Sequence, residues 1–140
     1  MNRTERFQIL TQITPEAATQ LAERVMDGSL GDVELITPPT VGMVMARVVD
    51  SAKGEVFNLG EVLVTEARVS IGGKEGWGMV MGGSADHALA VAIVEAGLEA
   101  GHREAERIEA DIMQMDAELQ AKVEHEWERV APTRVHFENF

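Results

Sequence analysis

Only a few segments of this chain carry residues that could do chemistry. The first is a glycine-rich run, Gly76-Trp77-Gly78-Met79-Val80-Met81-Gly82-Gly83-Ser84, which reads as a strand, a glycine turn and a helix start. Free amides at a helix N-terminus can hold a phosphate, so Gly82, Gly83 and Ser84 form a candidate anion site. The run lacks the Lys-Ser or Lys-Thr of a P-loop, and its G-x-G-x-x-x-G spacing misses the dinucleotide fingerprint by one residue. The competing reading is a tight turn with Ser84 as a helix cap. Asp86 and His87 follow and are the candidate catalytic pair, although adjacent helical residues do not face each other. Glu99-x-x-His102, with Glu95 one turn earlier, resembles half of a carboxylate-bridged di-metal motif. A full site needs two such pairs, and no second Glu-x-x-His occurs. No resident metal is therefore expected. Glu124-His125-Glu126-Trp127-Glu128 could attract a cation, but reads more simply as a solvated acidic helix face. No nucleophile, base and orienting group converge in the sequence.

Composition narrows the function classes further. The 140 residues suit one domain spanning 1–140, and a 45 % apolar content allows a modest core. Aromatics are 4 % and methionines number 8, so that core is aliphatic. With 24 acidic against 12 basic residues the net charge is −12. Such a chain is repelled by nucleic-acid backbones and anionic membranes, and its natural complement is a basic protein surface. Without cysteine, disulfides, thiolate metal sites and iron–sulfur clusters are excluded within the chain. The opening residues are charged and lead to no long apolar run, which makes the cytoplasm the expected location.

The elements that must position these residues follow from patterning. Residues 4–12 read as a first helix. Thr14-Pro15-Glu16 opens a second, with Thr14 as N-cap, and Gly28 closes it. Asp32 to Thr37 reads as a short strand closed by Pro38-Pro39. Val41 to Asp50 is apolar on both faces and predicts a strand buried on both sides. Glu55 to Leu59 and Glu61 to Ile71 follow, with Gly60 as a bulge or bend between them. In the second, Leu63, Thr65, Ala67, Val69 and Ile71 share one face. Gly72-Gly73 turns the chain into Gly76 to Met81. Beyond Ser84 comes a helix with Leu89, Ala92, Ile93 and Ala96 as its stripe. A long amphipathic helix over about 103–130 then carries Ile108, Ile112, Met115, Leu119, Val123 and Trp127 at spacings of three and four. Pro132 stops it, and residues 133–140 read as extended. These elements predict an α+β fold, an antiparallel sheet of four to five strands packed with helices.

The apolar segments Val41 to Met45 and Phe57 to Thr65 are most simply core. The long helix has more apolar stripe than such a sheet covers, so the excess calls for another chain. Phe57, Leu59, Trp77, Ile112, Met115, Leu119 and Trp127 are the expected partner-interface residues, the two tryptophans as anchors. Two alternatives remain open: a homo-oligomeric adaptor, and a catalytic contributor acting through Asp86 and His87.

The segment Phe57-Asn58-Leu59-Gly60-Glu61-Val62-Leu63-Val64-Thr65-Glu66-Ala67-Arg68-Val69 closely resembles the PhnG family, the G subunits of the bacterial carbon–phosphorus lyase system. Glu5-Arg6-Phe7, Thr40-Val41-Gly42-Met43-Val44, Gly76-Trp77-Gly78 through Asp86-His87-Ala88, and Thr133-Arg134-Val135-His136-Phe137 extend the resemblance over most of the chain. The family usually carries Gly-Arg-Asp after the strand; here Gly82-Gly83-Ser84-Ala85-Asp86 stands there and the arginine is absent. The resemblance implies a subunit that joins H, I and J subunits in a core complex. With an ATPase-like L subunit, the G, H and I subunits transfer a phosphonate to the ribose C1 of ATP, releasing adenine. ATP is then a substrate of the complex, while the iron–sulfur cluster and S-adenosylmethionine belong to the J subunit. The resemblance implies no cofactor for this chain and a scaffolding role toward I and J.

Overall fold

The computed structural model describes the backbone of residues 1–50, 52–127 and 133–138, and their side chains except at 46, 48–50, 57–59, 123–127 and 133–138. Side-chain caps start three of its helices. Asn2 opens α1 (Arg3–Gln12) by accepting the Glu5 amide at 2.8 Å. Thr14 opens α2 (Pro15–Val25) by accepting the Ala17 amide at 3.1 Å, with Pro15 at the first helical position, where its missing N–H costs nothing. Ser84 opens α3 (Ala85–Glu99) by accepting the His87 amide at 3.3 Å. Gly101, at φ +74°, turns the chain out of α3 toward α4 (Ala105–Trp127).

β1 (Glu34–Asp50), β2 (Val56–Ile71) and β3 (Lys74–Met81) form an antiparallel meander, and β4 (Thr133–Glu138) lies along β1, giving the order β3-β2-β1-β4. The prolines do not close a first strand as expected. Thr37 pairs with Arg68 and Thr40 with Glu66, so β1 holds one extra residue there and passes Pro38-Pro39 through a bulge. Proline cannot donate to a ladder, and a bulge removes that requirement. Gly60 acts as expected. At φ +106° it sits where Ala46 pairs with Gly60 and Arg47 with Asn58, so one strand continues across it. Ile71 pairs with Lys74 across Gly72-Gly73, both at positive φ, the two-residue turn suited to strand twist.

The helices lie on one face of the sheet. Thr65, Ala67, Val69 and Ile71 of β2 and Val80 of β3 are buried beneath them. α3 is the centre of the molecule. Its residues from His87 to Leu98 are buried apart from half-buried Leu89, so the single stripe expected for it is replaced by cover on all sides. α2, α1 and the first turns of α4 enclose it with Leu10, Leu21, Val25, Ile108 and Ile112, all fully buried. The helices sit over β3 and the adjoining half of β2, which corrects the expectation that Val41 to Met45 are core and, of the described side chains in Phe57 to Thr65, leaves only Val64 and Thr65 buried. Val41 and Met43 are 56 % and 55 % exposed, and Leu63 is 45 % exposed.

Candidate functional site

The glycine run turns out to be a packing device. Gly76 and Gly78 point at α3. A Cβ on Gly76 would land on the Ala92 carbonyl and the Ala96 amide, and one on Gly78 on the Ala88 carbonyl. Glycine in β3 and alanine at 88, 92 and 96 let the helix backbone rest directly on the strand. The turn that follows is also committed. The Gly82 amide donates to the Leu63 carbonyl at 2.8 Å, and the buried Thr65 hydroxyl donates to the Gly82 carbonyl at 2.7 Å. Gly82 is at φ +84°, and the Ser84 hydroxyl is occupied by the His87 amide. The turn therefore carries the serine-cap reading of Gly82, Gly83 and Ser84.

Asp86 and His87 are not brought together. Asp86 is exposed in the first turn of α3, whereas His87 is buried with Nε2 2.9 Å from the Leu10 carbonyl. Adjacent positions on a helix point to different faces, and here one face is solvent and the other core. His87 ties α3 to the end of α1.

The half di-metal motif is resolved by an arginine. Arg6, 5 % exposed, donates through Nε to Glu95 Oε1 at 3.0 Å and through its Nη2 to Glu95 Oε2 at 2.6 Å and Glu99 Oε1 at 2.8 Å. Glu109 lies 3.7 Å from the Arg6 Nη1, and Arg3 reaches Glu99 at 3.4 Å. Burial disfavours the charged guanidinium, but the hydrogen bonds and charges of Glu95 and Glu99 outweigh it and raise the Arg6 pKa. The Arg6 hydrogen bond, with the charges of Arg3 and Arg6, holds the Glu99 carboxyl below its ordinary value against the opposing effect of burial. His102 belongs to a different cluster. Its buried ring places Nε2 3.1 Å from Asp27 Oδ1, while Nδ1 accepts the Glu104 amide at 3.0 Å. Arg103 Nε donates to the other Asp27 oxygen at 2.9 Å. Ser29, through hydroxyl and amide, and then Arg103 and His102 hold the Asp27 carboxyl well below the usual carboxylate range. Among the described residues no group of three His, Asp or Glu side chains could hold a metal.

The sequence held a signal for the Arg6 cluster. Arg6 shares the face of Ile9, Leu10 and Ile13 at helical spacing, and Glu95 interrupts an otherwise apolar run. A charge within each of two apolar faces predicts an internal pair, because an unpaired buried charge is costly.

The expected interface residues divide into three groups. Trp77 is half-buried beside the β3 edge. Its ring stacks on Phe7 with centroids 5.0 Å apart, Arg68 lies 6.0 Å from its centroid, and its Nε1 donates to Glu66 at 3.4 Å. Ile112 is fully buried, so its surface is already used within the chain; the first turns of α4 need it for their own docking. Met115 and Leu119 are partly buried against the same core and line a cleft of about 260 Å³ with Ile13, Thr14 and Ala17. The side chains of Phe57, Leu59, Trp127 and the rest of the Glu124–Glu128 segment lie outside the described residues. Among the described residues no helix is long and apolar enough to cross a membrane.

A family model described as phosphonate metabolism protein PhnG matches residues 1–140. A curated relative from Rhizobium meliloti (strain 1021), the alpha-D-ribose 1-methylphosphonate 5-triphosphate synthase subunit PhnG, is 35 % identical over 108 residues, covering 76 % of this chain and 68 % of that protein.

Proposed function

The chain belongs to the PhnG family of phosphonate metabolism proteins, and we propose that it serves as a subunit of alpha-D-ribose 1-methylphosphonate 5-triphosphate synthase without performing the chemistry itself. One observation carries the second half of this reading. The reactive groups singled out in the sequence are mostly spent on holding the fold together: His87 on Leu10, Glu95 and Glu99 on Arg6, His102 on Asp27, and Ser84 on its helix cap. Asp86 remains exposed, with no base beside it on its own helix face. An acidic exterior also opposes ATP, itself a polyanion, as a ligand of this chain alone.

In this reading the chain acts as one cytoplasmic domain without a cofactor of its own. It supports the H and I subunits, with L, as phosphonate replaces adenine at the ribose C1 of ATP, and it scaffolds I and J. Its four-stranded sheet and long α4 supply the scaffold. The test is adenine release from ATP and methylphosphonate by co-expressed H, I and L subunits, with and without this chain. Release should require the chain and should survive Asp86→Asn unchanged. Full activity without the chain would sink the subunit reading. Loss of activity in an intact Asp86→Asn complex would instead make the chain a catalytic contributor.

A further inference from the structure

β1 and β2 outrun the rest of the sheet. β3 pairs with β2 only from Val64 to Ile71, yet β2 reaches back to Val56 and β1 forward to Asp50. Gly42 to Asp50 and Val56 to Leu63 thus form an arm about 30 Å long at roughly 3.3 Å per residue. β4 joins only along β1, from Met45 onward. Met43 pairs with Leu63 and Val44 with Val62, so successive pairs show apolar side chains to opposite faces. Val41, Met43 and Leu63 stand exposed on one face. On the other, Val44 and Val62 are half-buried and lead to exposed Met81, which pairs with Val64. A strand apolar on both faces belongs between two layers, and among the described residues the helices leave Val41, Met43 and Leu63 uncovered on one face and Val44 and Val62 only half-covered on the other.

Charge decides what supplies them. The molecule carries −12, and Arg3, Arg6, Arg24, Arg103 and Arg107 all lie against its own carboxylates. Along the arm Asp50, Glu55 and Glu61 outnumber Arg47 and Lys53, and Glu61, the partner of Met45, and Glu55 are exposed. Two copies joined arm to arm would bring two molecules of −12 together, whereas a basic surface would be drawn in. We infer that the arm, through Val41, Met43 and Leu63 on one face and Val44, Val62 and Met81 on the other, is clasped by a different protein chain that presents an apolar groove rimmed by Lys and Arg. This rests on the reading that the chain works as a subunit of the synthase.

The test uses the full chain and the co-expressed H and I subunits. In hydrogen exchange of the wild type, amides of 41–44 and 61–64 gain protection in the complex. Binding weakens as salt is raised. Met43→Glu/Leu63→Glu weakens it by about tenfold or more, as for a central contact, while Met113→Glu on the exposed side of α4 changes it less than about twofold. Unchanged exchange at 41–44 and 61–64 in a formed complex overturns the inference, and because it is read on the wild type it stands even where a variant fails to fold. So does a wild-type homodimer in sedimentation that Met43→Glu/Leu63→Glu converts to monomer, because the arm then belongs to a second copy. If the wild type binds neither subunit, the subunit reading fails first, and this inference with it.

Discussion

Arg6 shows how a charged residue becomes part of a core. Its guanidinium is buried against Glu95, which is equally buried, so neither charge has water to turn to. Removing one partner strands the other, at a typical cost of about 3–5 kcal/mol. Arg6→Ala should therefore lower unfolding free energy by about that amount in urea titrations, and Arg6→Met/Glu95→Leu should recover most of the loss. A single variant no more sensitive than an exposed surface change would show that water reaches the pair. Acid should act on two further carboxyls. Asp27 and Glu99 both titrate lower in the folded chain than their ordinary values of 3.8 and 4.5. The unfolded chain then takes up protons first, so their stabilisation is complete above about pH 4.5 and is lost as pH falls toward the folded values. Urea midpoints measured from pH 7 to pH 3 should drop below that point, and Asp27→Asn/Glu99→Gln should flatten the drop. At this scale the sequence was legible wherever a residue answers to its neighbours: Thr14 and Ser84 cap the helices they precede. It was opaque where the partner lies far along the chain. Glu99 and His102 share a helix end and a suggestive spacing, yet one turns to Arg6 and the other to Asp27, 93 and 75 positions away.

At the scale of elements, the contact between β3 and α3 organises the molecule. Gly76 and Gly78 leave room for the helix backbone itself, so any side chain there must push the helix away. Gly78→Ala should destabilise by at least about 3 kcal/mol, the upper part of the range for overpacking, because the obstruction is backbone that cannot rotate aside. Gly83→Ala, where an added Cβ meets nothing within 4 Å, is the control and should stay within about 0.5 kcal/mol. Thermal melts of the two variants suffice. A tolerated Gly78→Ala would mean that α3 rides higher on the sheet than the structure shows. The strand order along the chain, the Gly72-Gly73 turn and the Gly60 bulge were all readable, because turn chemistry is local. Cover was not. The alternation of Leu63, Thr65, Ala67, Val69 and Ile71 marks one face correctly, but only where helices lie does that face become core. Periodicity reports which side chains share a face and says nothing of how far the opposing layer extends.

For the molecule as a whole, two electrostatic contributions compete as salt rises. A net charge of −12 on 140 residues repels itself, and salt relieves that repulsion. Salt also weakens attractive pairs. The exposed ones, such as Arg24 with Asp111, are each worth at most about 1 kcal/mol, while the buried Arg6 cluster is largely beyond the reach of ions. With twice as many acids as bases, repulsion is the larger of the two. Raising NaCl from about 20 to about 300 mM, which shortens the screening length from tens of ångströms to under 10 Å, should raise the Tm of the isolated chain by about 3 °C. The same salt should loosen its complex with a basic partner, since there the long-range charges attract. A subunit built this way is least comfortable alone at low salt and best held by its partner under the same conditions. A Tm that fell with salt would show that attractive surface pairs dominate in the free chain. The acidic exterior would then be an internal network, with no preference for a basic partner.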